Sequence, residues 1–197
     1  MDFLTIVIPF VLLVVLANAG GALINYSSKK RGFGINPYFI YLLLFGVVTA
    51  LYLVSGFSMW TMKGIVLALI LLYASLQDLA THEADDYLWI MLCILALVNF
   101  GEIGIGTMLL AALAVFIPQM AIALFAKKGG IGGADIKLST AAALSLGFYG
   151  GVIGYLVGLV FAIVFQLLYN KIKQKSNQEA FPLLPFLSTG LMIGYFI

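Results

Sequence analysis

Long apolar runs leave this chain few ways to fold. Residues 3–23, 38–57, 64–80, 87–100, 107–126, 134–148, 152–169 and 184–197 are each apolar, and short polar or glycine-rich breaks separate them. About 20 apolar residues cross the hydrocarbon core as a helix, and a backbone in lipid must satisfy its own hydrogen bonds. The expectation is an all-α, polytopic membrane protein of about eight transmembrane helices, one domain over residues 1–197. The fourth, sixth and eighth runs are short, so six spans plus re-entrant segments are the alternative. A mean hydropathy of +1.14, with 63% hydrophobic and 9% charged residues, excludes a water-soluble globular surface.

Charge supplies the orientation. With eight spans, Lys29, Lys30, Arg31, Lys127, Lys128, Lys137, Lys171, Lys173 and Lys175 fall on one side and only Lys63 on the other. Basic loops stay in the cytoplasm. The layout therefore predicts a multi-pass plasma-membrane protein with both termini, the Glu102 turn and a Tyr149-Gly150-Gly151 turn outside. The polar stretches 25–36 and 171–180 read as cytoplasmic loops. Ala17-Asn18-Ala19 has the look of a signal-peptide cleavage site, but no basic leader precedes it, so the first run is expected to stay. A net charge of +2 is too small for a nucleic-acid face. Cys93 is the only cysteine, so neither an internal disulfide nor a cysteine-based zinc cluster can form.

Two acids stand where acids are costly. A charge at the centre of a span costs about 3 kcal/mol on insertion scales, which makes an ionisable group there a functional suspect. Asp78 lies at the end of the third run, in Tyr73-Ala74-Ser75-Leu76-Gln77-Asp78-Leu79. Asp135 opens the sixth, in Gly129-Gly130-Ile131-Gly132-Gly133-Ala134-Asp135-Ile136-Lys137-Leu138. Topology puts both at the cytoplasmic face. Two neighbouring carboxylates at a partly dehydrated site do not both ionise easily, and one proton shared between them suits acid and base work on water. The glycines beside Asp135 permit close approach of another backbone, as an extended peptide requires. Helix packing is the alternative use of such glycines, and capping or pairing with a lysine is the alternative use of Asp78.

These segments resemble the type IV prepilin peptidase family, membrane aspartic proteases with a Gly-x-Gly-Asp signature. Gly132-Gly133-Ala134-Asp135-Ile136-Lys137-Leu138 is similar to the family's second aspartate motif. Asp78-Leu79-Ala80-Thr81 followed by Asp86-Tyr87-Leu88 is similar to the first. Gly21-Ala22-Leu23-Ile24-Asn25 and Pro182-Leu183-Leu184-Pro185-Phe186-Leu187 are fainter echoes. The resemblance implies an aspartic endopeptidase that removes the short basic leader of prepilin- or pseudopilin-like precursors, with Asp78 and Asp135 catalytic and no cofactor or metal. Two departures stand out: Ala134 replaces the signature's second glycine, and Ala84-Asp85 occupies the place of an Ile-Pro pair. The turn into the fourth span must therefore be made differently. The cysteine-containing insertion of larger bacterial members is absent here, so no N-methyltransferase activity is expected.

Other polar residues take supporting roles. Glu83, Asp85 and Asp86 form an acidic patch suited to a basic leader, or else a solvated loop. Asp85 or Asp86 as the first catalytic acid is a weaker option, because a fully polar loop shifts a carboxyl little. His82 beside Glu83 makes a poor metal site and reads as an interfacial residue. Lys137 lowers the Asp135 pKa or contacts substrate or lipid phosphate, with a simple positive-inside anchor as the alternative. Tyr38, Tyr41, Trp60 and Trp89 suit the membrane interface. A transporter or proton channel using the aspartates as a relay is the competing reading, and it would favour acids near mid-membrane and matching halves.

Overall fold

Capping residues decide where the helices begin and stop. In a computed structural model, residues 3–33, 35–125, 131–173 and 181–197 are described, and every regular element among them is helical. α1 (Phe3–Lys30) is followed by α2 (Pro37–Ser55), whose start has proline in its first turn and an Asn36 side chain accepting from the Tyr38 N–H at 3.1 Å. α3 (Met59–Thr81) begins with the Ser58 hydroxyl accepting from the Thr61 N–H at 3.1 Å. It ends on His82, held at φ 55° with its N–H on the Asp78 carbonyl. α4 (Asp86–Ala96), α5 (Phe100–Ile103), α6 (Ile105–Phe125), α7 (Gly133–Lys173) and α8 (Leu184–Gly194) complete the order.

α7 is two antiparallel arms. Gly147 sits at φ 77° and ψ −176°, a conformation glycine alone adopts readily, and the chain doubles back there. A Cβ on Gly151 would lie 2.8 Å from the Ala143 Cα, whereas a straight helix separates such residues by about 12 Å. The expected outer turn at Tyr149-Gly150-Gly151 is thus displaced to Gly147, and those three residues are helical. The reason is steric: one residue with positive φ completes the reversal. Two further boundaries move. α1 continues to Lys30, so the first half of the supposed 25–36 loop is helix. The fourth run splits at Asn99 (φ 59°) into α4 and α5. Met1, Asp2, Lys127, Lys128, Gly129, Gly130 and Lys175 lie outside the described residues.

Five helices are long and apolar enough to cross a membrane, counting α7 as one, and the surface presents exposed Leu, Ile, Val and Phe side chains such as Leu42, Leu53, Leu113, Ile163 and Leu167. An apolar exterior of that extent suits lipid. α3 is the least hydropathic of the five at 1.8, yet 67% of its most apolar window is buried, against 17–22% for α1, α2 and α6. The least hydropathic of these helices is thus the one that the other helices cover.

Small residues draw the helices together. Gly150, Gly154 and Gly158 on the second arm of α7 meet Gly190 and Gly194 on α8 with backbones so close that a Cβ at Gly190 would lie 2.2 Å from the Gly158 nitrogen. On the other side of α8, the Ser75 hydroxyl of α3 donates to Ser188 at 2.9 Å. Trp60 and Tyr195 stack at 4.6 Å where α3 begins, and the Tyr195 hydroxyl donates to the Trp60 carbonyl. Lys63, near that same end of α3, is 1% exposed, and its ammonium donates to the Val98 carbonyl at 2.9 Å. The one basic residue out of step with the charge pattern is therefore an internal cap for the α4 break, not a loop cation.

Candidate active site

At the opposite end of α3, Asp78 and Asp135 come together from two segments. Asp78 is the last buried residue of α3, 6% exposed, and its Oδ2 accepts from the Leu184 N–H at 2.9 Å. That amide opens α8, where the first N–H groups have no partner inside the helix and the dipole favours an anion. Asp78 thus caps α8 from a different helix. Pro182 and Pro185, which have no N–H, flank the donor, and Phe181 and Phe186 stack at 5.2 Å to hold the approach to α8 in place. Residues 182–187, among the fainter sequence echoes, are part of the site wall.

Asp135 is held locally. It lies in the first turn of α7, half-buried, with its carboxylate folded back on the Gly132 backbone N–H in the manner of a capping box. A Cβ on Gly132 would stand 2.9 Å from Asp135 Oδ2, whereas a Cβ on Gly133 would meet nothing. Ala134 is within the helical turn, where no glycine is required, so that departure from the signature costs the backbone nothing here. Below the carboxylate, the Ser139 hydroxyl donates to the Asp135 carbonyl at 2.6 Å and accepts from the Gln119 amide at 2.8 Å. Gln119 is fully buried on α6 immediately after Pro118. The carboxylates of Asp78 and Asp135 are within electrostatic reach of each other, and Tyr155 and His82 lie within reach of Asp135 and Asp78 respectively.

The neighbouring acids are mostly paired. Asp85 begins α4 with φ −63°, the angle a proline would impose, but its N–H donates to Gln77 Oε1 at 3.1 Å, which a proline could not do. The Gln77 amide and Arg31 both donate to Asp85 Oδ2. This is how the turn into α4 is made without an Ile-Pro pair. Burial pushes the Asp85 carboxyl up, but the Gln77 and Arg31 hydrogen bonds and the Arg31 charge outweigh it and hold the group below the ordinary carboxylate range. Asp86 pairs with Lys137 at 2.6 Å across the two motifs, with both side chains at least half exposed. Glu83 is exposed at the same rim. Trp60, in the first turn of α3, stacks on Tyr195.

A sequence model of the type IV leader peptidase family matches residues 65–167, more than half of the chain. The chain belongs to that family. The leader peptidase match runs from α3 through the second arm of α7 and so contains both aspartate segments, Gln77, Gln119 and Ser139, while α1, α2 and α8 fall outside it. No curated protein and no solved structure matches the chain. Sequence reasoning missed Gln119, Ser139 and the Leu184 N–H. The sole available signal was a buried-type polar residue behind a mid-helix proline, Pro118-Gln119.

Proposed function

We propose that this leader peptidase is an aspartic endopeptidase in which Asp78 and Asp135 form the catalytic pair. The observation that carries the reading is the meeting of two carboxylates from separate helices at one end of an apolar bundle, each with its own backbone N–H donor. One carboxylate takes a proton from water as the water attacks the scissile carbonyl. The other gives its proton to the carbonyl oxygen, and the tetrahedral intermediate then collapses with a proton passing to the leaving amine. The pair titrates as a unit, so the two roles belong to the dyad. Asp78 is nearly sealed and Asp135 half-exposed, so water and peptide arrive from the Asp135 side.

The substrate is a prepilin- or pseudopilin-like precursor whose apolar helix lies in the bilayer while its basic leader stays in the cytoplasm. Eight crossings, with α4, α8 and the first arm of α7 short, put both aspartates on the side of Lys29, Lys30, Arg31, Lys137 and Lys171, which the positive-inside rule makes cytoplasmic. Peptidase activity without methylation is the expected chemistry. Co-expression of a tagged prepilin-like precursor with wild type, Asp78→Asn, Asp135→Asn and Glu102→Gln tests this by the size of the product. Cleavage by wild type and Glu102→Gln alone supports the dyad. Cleavage by Asp78→Asn or Asp135→Asn overturns it.

A further inference from the structure

A polar cavity of about 240 Å³ opens at the end of α3 that carries Asp78, lined by Arg31, Phe33, Gln77, Thr81, Glu83 and Asp85. Gln77 and Thr81, one turn apart on α3, both line it, and Gln77 directly precedes Asp78. Gln77 is 98% buried by its 2% exposure, and both ends of its amide are committed to Asp85. That commitment fixes the Asp85 carboxylate on a rigid helix rather than on a loose loop. Two carboxylates and one guanidinium line the space, so with Arg31 in place it carries one net negative charge, and without Arg31 it carries two.

Arg31 is a weakly held occupant. It comes from the segment after α1, its side chain is 43% exposed, and among the described residues its ion-pair partner is Asp85, itself 31% exposed. Exposed pairs of this kind contribute little and exchange readily with other cations. Asp86, by contrast, is engaged by Lys137 outside the cavity. Phe33 adds an apolar wall suited to the methylene stem of a lysine or arginine.

We propose that this cavity is a subsite for a cationic side chain of the substrate's leader, and that Arg31 occupies it as an internal stand-in that the substrate displaces. The inference rests on the peptidase reading for its substrate, but not on cleavage for its test. Asp85 is the primary counter-charge, Glu83 the second, and Gln77 a positioning residue that aims Asp85. Because α3 carries both Gln77 and Asp78, a leader side chain seated here sets the register of the scissile bond against the dyad. Arg31 then lowers affinity for basic leaders, which must displace it, and leaves neutral leaders, which do not enter the cavity, unaffected.

Binding decides the point. The full chain carrying Asp78→Asn and Asp135→Asn, in nanodiscs, is titrated with a fluorescent leader peptide containing one lysine and with the same peptide carrying glutamine there. Arg31→Ala is expected to tighten the lysine peptide about threefold and Asp85→Asn to weaken it about threefold, the size of one exposed ion pair, with the glutamine peptide unmoved by either. Glu83→Gln, at an exposed position that leaves the Gln77 contact intact, weakens the lysine peptide in the same direction. Equal binding of the two peptides by both the parent and Arg31→Ala overturns the subsite. Weakening of both peptides alike by Arg31→Ala makes the pair a structural staple and also overturns it. Failure of wild type to cleave any precursor strikes the peptidase reading instead.

Discussion

The two aspartates are held by opposite strategies. Asp78 depends on the whole fold: it is buried on the central helix, and its N–H donor belongs to α8, 106 residues away in sequence. Asp135 depends on its neighbours: Gly132 lies three residues before it and Ser139 four after, and the side chain stays half in solvent. A site divided in this way has one arm that assembles only with the bundle and one that the local sequence nearly builds alone. Disturbing the α7–α8 contact should therefore damage Asp78 and spare Asp135, and disturbing the glycine run should do the reverse.

The largest expected effect is chemical and strikes both arms alike. Asp78→Asn and Asp135→Asn each reduce the cleavage rate by about 10²–10⁴, the usual weight of an acid or base. The alanine variants then separate the arms. Asp78→Ala removes the acceptor for the buried Leu184 N–H, which costs about 1–3 kcal/mol, and lowers the melting temperature, whereas Asp135→Ala leaves it nearly unchanged. Equal melting temperatures for the two alanine variants would break the comparison.

Next in size is Gly190→Val. Its new side chain meets the α7 backbone and not a flexible side chain, and overpacking of that kind costs about 1–3 kcal/mol or more. Thermal unfolding in detergent should show the loss, with activity falling because α8 leaves Asp78. At the other arm, Gly132→Ala crowds the Asp135 carboxylate and should lower kcat by about ten- to a hundredfold with an unchanged melting temperature. Gly133→Ala, whose Cβ meets nothing, stays within about twofold of wild type. Equal effects at 132 and 133 would mean that the carboxylate does not rest on Gly132.

Smaller again is the α6 support. Gln119→Leu removes the donor to Ser139, and a lost net hydrogen bond of about 1 kcal/mol should appear as a several-fold fall in kcat with little change in KM, while Gln119→Glu, which keeps an acceptor but not the donor, does not rescue it. The smallest effect belongs to Asp85. Its folded carboxyl lies below its unfolded value near 3.9, so its contribution to stability is complete at neutral pH and fades only as acid protonates the folded group. The melting-temperature gap between wild type and Asp85→Asn should be slight at pH 7 and close toward pH 3. A gap that widens in acid reverses the sign and rejects the Arg31 and Gln77 contacts as the cause.

Much of this was readable in the chain. Apolar runs define a helical membrane protein, because hydrocarbon leaves the backbone no other solution, and the basic residues after α1 give its expected side. The two aspartate motifs stood out because charge at the edge of an apolar run is costly, and the glycines at 132 and 133 marked the start of α7. Residues 129–130 and the lysines at 127, 128 and 175 lie outside the described residues, so those parts of the charge pattern stand as read from the sequence.

What local pattern determines is therefore which segments are helical, where they cap, and which acids are out of place, since propensity, capping and transfer energy all act over a few residues. Tertiary structure decided the rest. It moved the reversal to Gly147, buried the least hydropathic span at the centre, turned Lys63 into an internal cap, and supplied Asp78 with a partner from α8. It also tied Asp85 to Arg31 and Gln77, which leaves Glu83 and Asp86 as the exposed acids of the patch. Each of these depends on a contact between residues far apart in sequence. The energy of such contacts comes from packing and desolvation among several helices at once, and no single apolar run encodes which neighbour it will meet.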